Sequence, residues 1–248
     1  MSMTRMRTRS QVPLTERNED VIAKQEVQRK KALVDTAPFI KYPGKIVYST
    51  DFTSIAENCA KLLDKANKTE DLFILGFDIE WPFSFQTGSG KASVVQISPN
   101  LDICYVLQVS SSNKLPKALT ELLCHDKVRL TGICVKNDVR KLHRDFPGFD
   151  VDKAVDNCID LGVMANTVAG FTQRWSLEKL VLHFFEMRIS KDKAVRMSKW
   201  HVAPLSEAQQ VYAALDAYAS LKLYHHIKQE QDNQVDDEDQ ENQEMDIN

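Results

Sequence analysis

Leu72-Phe73-Ile74-Leu75-Gly76-Phe77-Asp78-Ile79-Glu80-Trp81-Pro82 is an apolar run that turns acidic before it ends. A short apolar run with β-branched and aromatic members reads as a buried strand. In a strand, residues i and i+2 share a face, so Asp78 and Glu80 point off the same side. Two carboxylates held that close repel, and each resists ionising beside the other. A divalent cation between them relieves the conflict, which makes the pair half of a metal site. A strand surfacing into solvent would give the same letters. Asp-x-Glu alone leaves both readings open.

The composition around this stretch is that of an ordinary globular protein: 248 residues, 43% hydrophobic and 27% charged. No window approaches 18 consecutive apolar residues, so no membrane span is expected. The five cysteines, Cys59, Cys104, Cys124, Cys134 and Cys158, are odd in number and form no C-x-x-C pair. That points to reduced thiols and away from a disulfide scaffold or a zinc site. Charge is unevenly spread. Residues 1–35 carry eight Lys/Arg against five Asp/Glu, and residues 230–248 carry nine Asp/Glu and no base. The segment between is therefore +3 within a chain of net charge −3, which permits an anionic partner. We expect a disordered basic tail over 1–36, one folded domain over 37–229 and a disordered acidic tail over 230–248. The basic clusters Arg5, Arg7, Arg9 and Arg29-Lys30-Lys31 suit a nuclear-import patch, while the acid-free first fifteen residues also admit a transit peptide, and the whole segment admits a plain solvated leader.

Outward from the opening stretch, Lys45–Ser49 reads as a strand and residues 52–66 as a helix with Ile55, Cys59, Leu62, Leu63 and Ala66 at helical spacing. Ala92, Val94 and Gln96 alternate, and Ile103–Leu107 is a further strand, which predicts three consecutive antiparallel strands. Pro116–Leu123 reads as a helix, Val128–Ile133 as a strand and Lys136–Arg144 as a helix. The second half is mostly helical. Ser176 can cap one helix, and Ser206 with Gln209 forms a capping box for another that runs to about Lys228. Strands, then alternation, then helices predict a mixed sheet with helices on its faces.

Two more carboxylates stand out. On the last helix Tyr212, Leu215, Asp216, Ala219 and Leu223 form one stripe, which sets Asp216 inside an apolar face with Tyr212 one turn earlier. A buried carboxylate needs a base, hydrogen bonds or a metal. Asp138 follows a strand at the start of a helix, a position that also suits an ordinary cap. Four such acids would make an oxygen-rich cluster of the kind hard cations prefer. Two ions in such a cluster can hold the attacking and leaving oxygens of a phosphoryl displacement. Gly88-Ser89-Gly90-Lys91 is no phosphate loop, because Phe85 occupies the place of the first Gly and Ala92 that of Ser/Thr. ATP is therefore not expected as a ligand.

Taken together, Phe77-Asp78-Ile79-Glu80-Trp81-Pro82, the Asn137-Asp138 turn and Tyr212-Ala213-Ala214-Leu215-Asp216-Ala217-Tyr218 resemble the three motifs of the DEDD superfamily of 3′→5′ exonucleases. That group contains the proofreading exonucleases and ribonuclease D. Within it, Trp175-Ser176-Leu177 and Ser198-Lys199-Trp200 make the chain most similar to the Werner syndrome protein's exonuclease domain, in a free-standing form without a helicase. The resemblance covers about residues 38–228. It implies an α/β, RNase H-like (DnaQ-like) fold with a mixed sheet of five or six strands flanked by helices. It also implies hydrolysis of DNA from 3′ ends to nucleoside 5′-monophosphates, with two Mg²⁺ or Mn²⁺ ions. Carried over residue by residue, Asp78 would bridge both ions, Glu80 and Asp216 would complete the first ion's site, and Asp138 would hold the second. Tyr212 would aim the attacking water, since a reference pKa near 10 makes tyrosine a poor base. The histidine-bearing subclass has His five residues before the last Asp, where this chain has Val211. Arg140 departs from the pattern, because Werner-type domains have Trp at that place. Candidates for gripping a strand are Trp81, Lys91, Arg140, Lys193, Arg196, Lys199 and Trp200, bases for phosphates and flat groups for stacking. Expected partners are DNA, with RNA trimming as the alternative, and a protein partner through the tails. The motifs read no 2′-hydroxyl, so only the Werner-like flanks favour DNA. A catalytically silent binding module would have no need to keep all five catalytic positions.

Overall fold

In a computed structural model, which describes residues 34–170, 172–190 and 192–245, the opening stretch becomes β2 (Phe73–Glu80). Before it lie β1 (Lys45–Ser49) and α1 (Phe52–Lys68). After it come the short hairpin strands β3 (Phe83–Ser84) and β4 (Gly88–Ser89), then β5 (Val94–Ser98), β6 (Ile103–Gln108), α2 (Lys117–Leu123), β7 (Val128–Gly132) and α3 (Val135–Asp145). The chain continues through α4 (Val151–Asp156), β8 (Cys158–Asp160), α5 (Leu161–Ala169), α6 (Leu177–Phe185), α7 (Lys193–Arg196) and α8 (Glu207–Met245). Six strands form one sheet in the order β1-β6-β5-β2-β7-β8. Strands β2, β5 and β6 pair antiparallel, as the alternation predicts, while β1, β7 and β8 join in parallel. This is the RNase H-like arrangement.

Both faces of β2 are covered. Phe73, Leu75, Phe77 and Ile79 enter a core shared with Ile55, Cys59 and Leu62 of α1, Leu119 and Leu122 of α2, and Val139 and Leu142 of α3. The other face, carrying Gly76, Asp78 and Glu80, meets α8. A Cβ at Gly76 would stand 2.0 Å from the Ala217 carbonyl oxygen, so only glycine lets the helix lie this close to the strand. Ala213, Ala214 and Ala217 of α8 pack with Val94, Cys104 and Val106 on this side of the sheet. The close approach brings the carboxylate of α8 to the carboxylates of β2.

Three features differ from the sequence reading. Strand β8 and helix α5 are not legible in it. Strand β8 is three residues long, and Asp160 starts α5 at once by accepting bonds from Gly162 N and Val163 N. Helix α8 does not stop near Lys228 but continues to Met245, through the segment expected to be disordered. No Gly or Pro interrupts it, and Lys228–Asp232 and His226–Glu230 are i,i+4 pairs that favour continuation. His225 is exposed, but His226 is half-buried and stacks at the edge of Phe184 and Phe185. No helix among the described residues is long and apolar enough to cross a membrane. The basic clusters of the first 33 residues lie outside the described part.

Candidate active site

At the end of β2, Asp78, Glu80 and Asp216 each place a carboxylate oxygen within 4.8 Å of the others. The strand supplies two by its period of two, and α8 supplies the third from inside its buried stripe. They line a cleft of about 410 Å³ together with Ile79, Trp81, Phe83, Arg196 and Tyr212. Among the described residues Arg196 is the one cation on that wall.

Electrostatics show how these carboxylates crowd one another. Burial pushes the Asp78 carboxyl up to about 6, although Ile79 N donates to its Oδ1 at 2.9 Å. Glu80 is raised well above the usual carboxylate range by burial and then by the charges of Asp78 and Asp216, against which Arg196 pulls weakly. The Tyr212 phenol is raised by burial and by Asp216 and Glu80, so it stays protonated at neutral pH and can donate a hydrogen bond. These are oxygen donors, half-buried and crowded. That is the set a hard divalent ion fits.

Asp138 stands one step aside, in the first turn of α3. Its carboxyl is pushed up to about 8 by burial and by the charges of Asp78 and Asp160, so it shares the same field. Its helix starts from Cys134, held in the left-handed region at φ 54° with its N–H bonded to Asp160 Oδ2 at 2.9 Å. Asp160, whose other oxygen caps α5, thus fixes the turn that presents Asp138. The sequence reading missed this residue; only the pairing of the short β8 with β7 reveals it.

The strand-gripping candidates fall in different places. Trp81 and Arg196 line the cleft. Lys193 and Lys199 are exposed near Arg196 in sequence, and Arg140 is exposed on α3. Lys91 does not line the cleft: its Nζ bonds Ser112 O at 3.0 Å and sits 3.9 Å from the Phe146 ring centroid. Trp200 has to be corrected. Its indole is fully buried, its Nε1 donates to Arg196 O, and its ring lies 6.0 Å from that of Tyr212. It cannot stack on a base; it joins the Arg196 turn to Tyr212. Glu178 of α6 also lines the cleft and has no precedent in the sequence reading.

A family model described as 3′-5′ exonuclease matches residues 49–232. The chain belongs to the 3′-5′ exonuclease family. A 3′-5′ exonuclease of Drosophila grimshawi is 46% identical over 202 residues, covering 81% of this chain and 61% of that protein. One of Drosophila ananassae is 45% identical over 201 residues, with 81% and 57% covered. The chain thus spans about 60% of the length of these relatives. Among solved structures, the Aedes aegypti Nibbler EXO domain superposes with a TM-score of 0.62 at 20% identity, covering 77% of this chain and 92% of that one. Escherichia coli RNase D gives 0.58 at 15%, covering 75% and 46%. Brucella melitensis NrnC with bound Mg²⁺ gives 0.58 at 19%, covering 77% and 84%. These structures establish the fold of the exonuclease domain. The carboxylate cluster lies within the 3′-5′ exonuclease domain that the family model matches.

Proposed function

We propose that this exonuclease removes nucleoside 5′-monophosphates from the 3′ ends of DNA, in genome maintenance and in the nucleus. The observation that carries the reading is the meeting of Asp78, Glu80 and Asp216 within 4.8 Å in a cleft shared with Tyr212 and Arg196. Asp78, Glu80 and Asp216 would hold one divalent ion, and Asp138, with Asp78, a second. Bound there, two ions would lower the pKa of a water and neutralise charge on the attacking and leaving oxygens. The protein's own part is orientation. Tyr212, kept protonated, donates a hydrogen bond and fixes the direction of attack. Arg196 offers a guanidinium to a phosphate entering the same cleft. Trp81, the residue after Glu80 and part of the cleft wall, presents an aromatic ring against which a terminal base can rest.

DNA is favoured by the Werner-like flanks, of which Ser176 and Leu177 line the cleft. Ser176 caps α6 through Lys179 N, and Ser198 Oγ accepts from Gln209 Nε2 at 2.9 Å. The RNA reading draws on a structural neighbour, since Escherichia coli RNase D is an exoribonuclease. Digestion of 5′-labelled DNA and RNA strands, single and recessed, with Mg²⁺, Mn²⁺ or EDTA separates the two. We expect laddering from the 3′ end of DNA, lost in EDTA and reduced more than about 100-fold by Asp78→Ala or Asp216→Ala. A preference for RNA would move the substrate to the second reading, and activity surviving EDTA would sink the metal site. Nuclear placement is tested by imaging the full chain with Arg29-Lys30-Lys31 replaced by alanine; loss of nuclear signal is expected.

A further inference from the structure

Gln96 sits in the middle of β5, fully buried, and neither its Nε2 nor its Oε1 has a hydrogen-bond partner among the described residues. A buried amide left unpaired lowers stability, and a leucine or methionine would fill the same volume without that loss. Its surroundings say what it serves. Gln96 pairs across the antiparallel ladder with Asp78 on one side and with Val106 on the other. Val94, two residues away on the same face, and Val106 are apolar, and the alanines of α8 close the space above. The cross-strand neighbour that is polar is Asp78. Side chains directly opposite in such a ladder have Cβ atoms about 5 Å apart, so a turn about the glutamine's own torsions brings its amide to that carboxylate without backbone movement. One Asp78 oxygen already accepts from Ile79 N. The other has lone pairs to spare.

We propose that Gln96 is a positioning residue for the metal site: its Nε2 donates to the Asp78 carboxylate across the ladder and so fixes the orientation in which Asp78 would ligate a divalent ion. The inference rests on the metal-site reading given above. Carboxylates that ligate metals are commonly held by a hydrogen bond from behind, and loss of that partner weakens metal binding by about 10–100-fold.

The distinguishing prediction is a split between stability and affinity. In Gln96→Met, the metal-free protein should melt at the wild-type temperature or above it, because an unpaired amide has gone. Its affinity for Mn²⁺, measured by calorimetry on the full chain, should fall at least about tenfold. Thr131→Val serves as the control. Thr131 is also buried with an unpartnered hydroxyl, but it pairs with Gly76 and not with Asp78. Its Mn²⁺ affinity should be that of the wild type. Wild-type Mn²⁺ affinity in Gln96→Met, or a loss of affinity accompanied by a fall in the metal-free melting temperature, would overturn the proposal. Asp78→Asn is run in parallel. If that variant binds Mn²⁺ normally, the metal-site reading fails; if it loses binding while Gln96→Met keeps it, only the role of Gln96 fails.

Discussion

Asp78 and Asp138 carry the clearest consequence at the scale of single residues. Both titrate higher in the folded protein than the ordinary value of 3.8, at about 6 and about 8. Burial is the first cause for each, and for Asp138 the Asp78 charge is the second. Between these values and 3.8 the folded state binds more protons than the unfolded one. Stability therefore falls as pH rises through that window. The contribution is fully present below about pH 4 and is lost as the pH passes 6 for Asp78 and 8 for Asp138. A divalent ion supplies the missing counter-charge and removes the loss. The melting temperature in EDTA, other groups held constant by comparison with Asp138→Asn, should decline from pH 5 to pH 8. Mg²⁺ or Mn²⁺ should raise it by several degrees at pH 8 and by much less at pH 5. An ion-induced rise that is the same at both pH values would contradict the assignment.

At the scale of elements, the cleft depends on a buried ion pair that does not line it. Lys141 of α3 donates through Nζ to Asp145 Oδ2 at 2.8 Å and to Gly90 O at 2.7 Å, and it lies 4.9 Å from the Trp81 ring centroid. Asp145 Oδ2 also accepts from Ala92 N. The pair ties the helix that carries Asp138 to the hairpin that follows Glu80. With the two side chains only 8% and 14% exposed, Asp145→Ala leaves an uncompensated ammonium in the interior and should cost about 3–5 kcal/mol in urea unfolding. A cost under about 1 kcal/mol would place the pair with ordinary surface bridges. Nothing in the sequence announces this clamp, because Lys-x-x-x-Asp on a helix usually lies in solvent. The same contrast holds across the fold. Strands β2, β5 and β6 are legible because their apolar residues alternate or run together, and Asp216 is legible because it interrupts an apolar helical stripe. Trp200 misleads because a lone aromatic beside Lys199 carries no sign of the direction it faces. Gln96 passes unnoticed because an alternating strand tolerates one polar letter; only pairing shows that it lies opposite Asp78. The meeting of Asp138 and Asp216 with β2 is set by long-range packing, to which local spacing is blind, and it was the resemblance to known motifs that joined them.

For the whole molecule, α8 links two regions of opposite purpose. It presents Tyr212 and Asp216 to the cleft and then carries the chain away through a run of acids. Counting about 1.5 Å per residue, Asp236 lies roughly 30 Å along the axis from Asp216. Residues 236–248 hold seven Asp/Glu and no base, so deleting them changes the net charge from −3 to +4. The contacts that seat the preceding turn, His226–Glu230, Lys228–Asp232 and Gln234 Nε2 to Val168 O, all lie before the deletion. The domain should therefore melt as before. A polyanionic strand approaching the cleft feels those seven charges only where screening lets it. The Debye length is about 30 Å at 0.01 M salt and about 8 Å at 0.15 M. Deletion of 236–248 should thus lower KM for a labelled strand several-fold at about 0.01 M and leave it nearly unchanged at about 0.15 M, with kcat the same at both. Kinetics of the two chains at the two ionic strengths decide the matter. A drop in KM that persists at the higher salt would mean that the acidic segment occupies the strand's path instead of acting through its distant field.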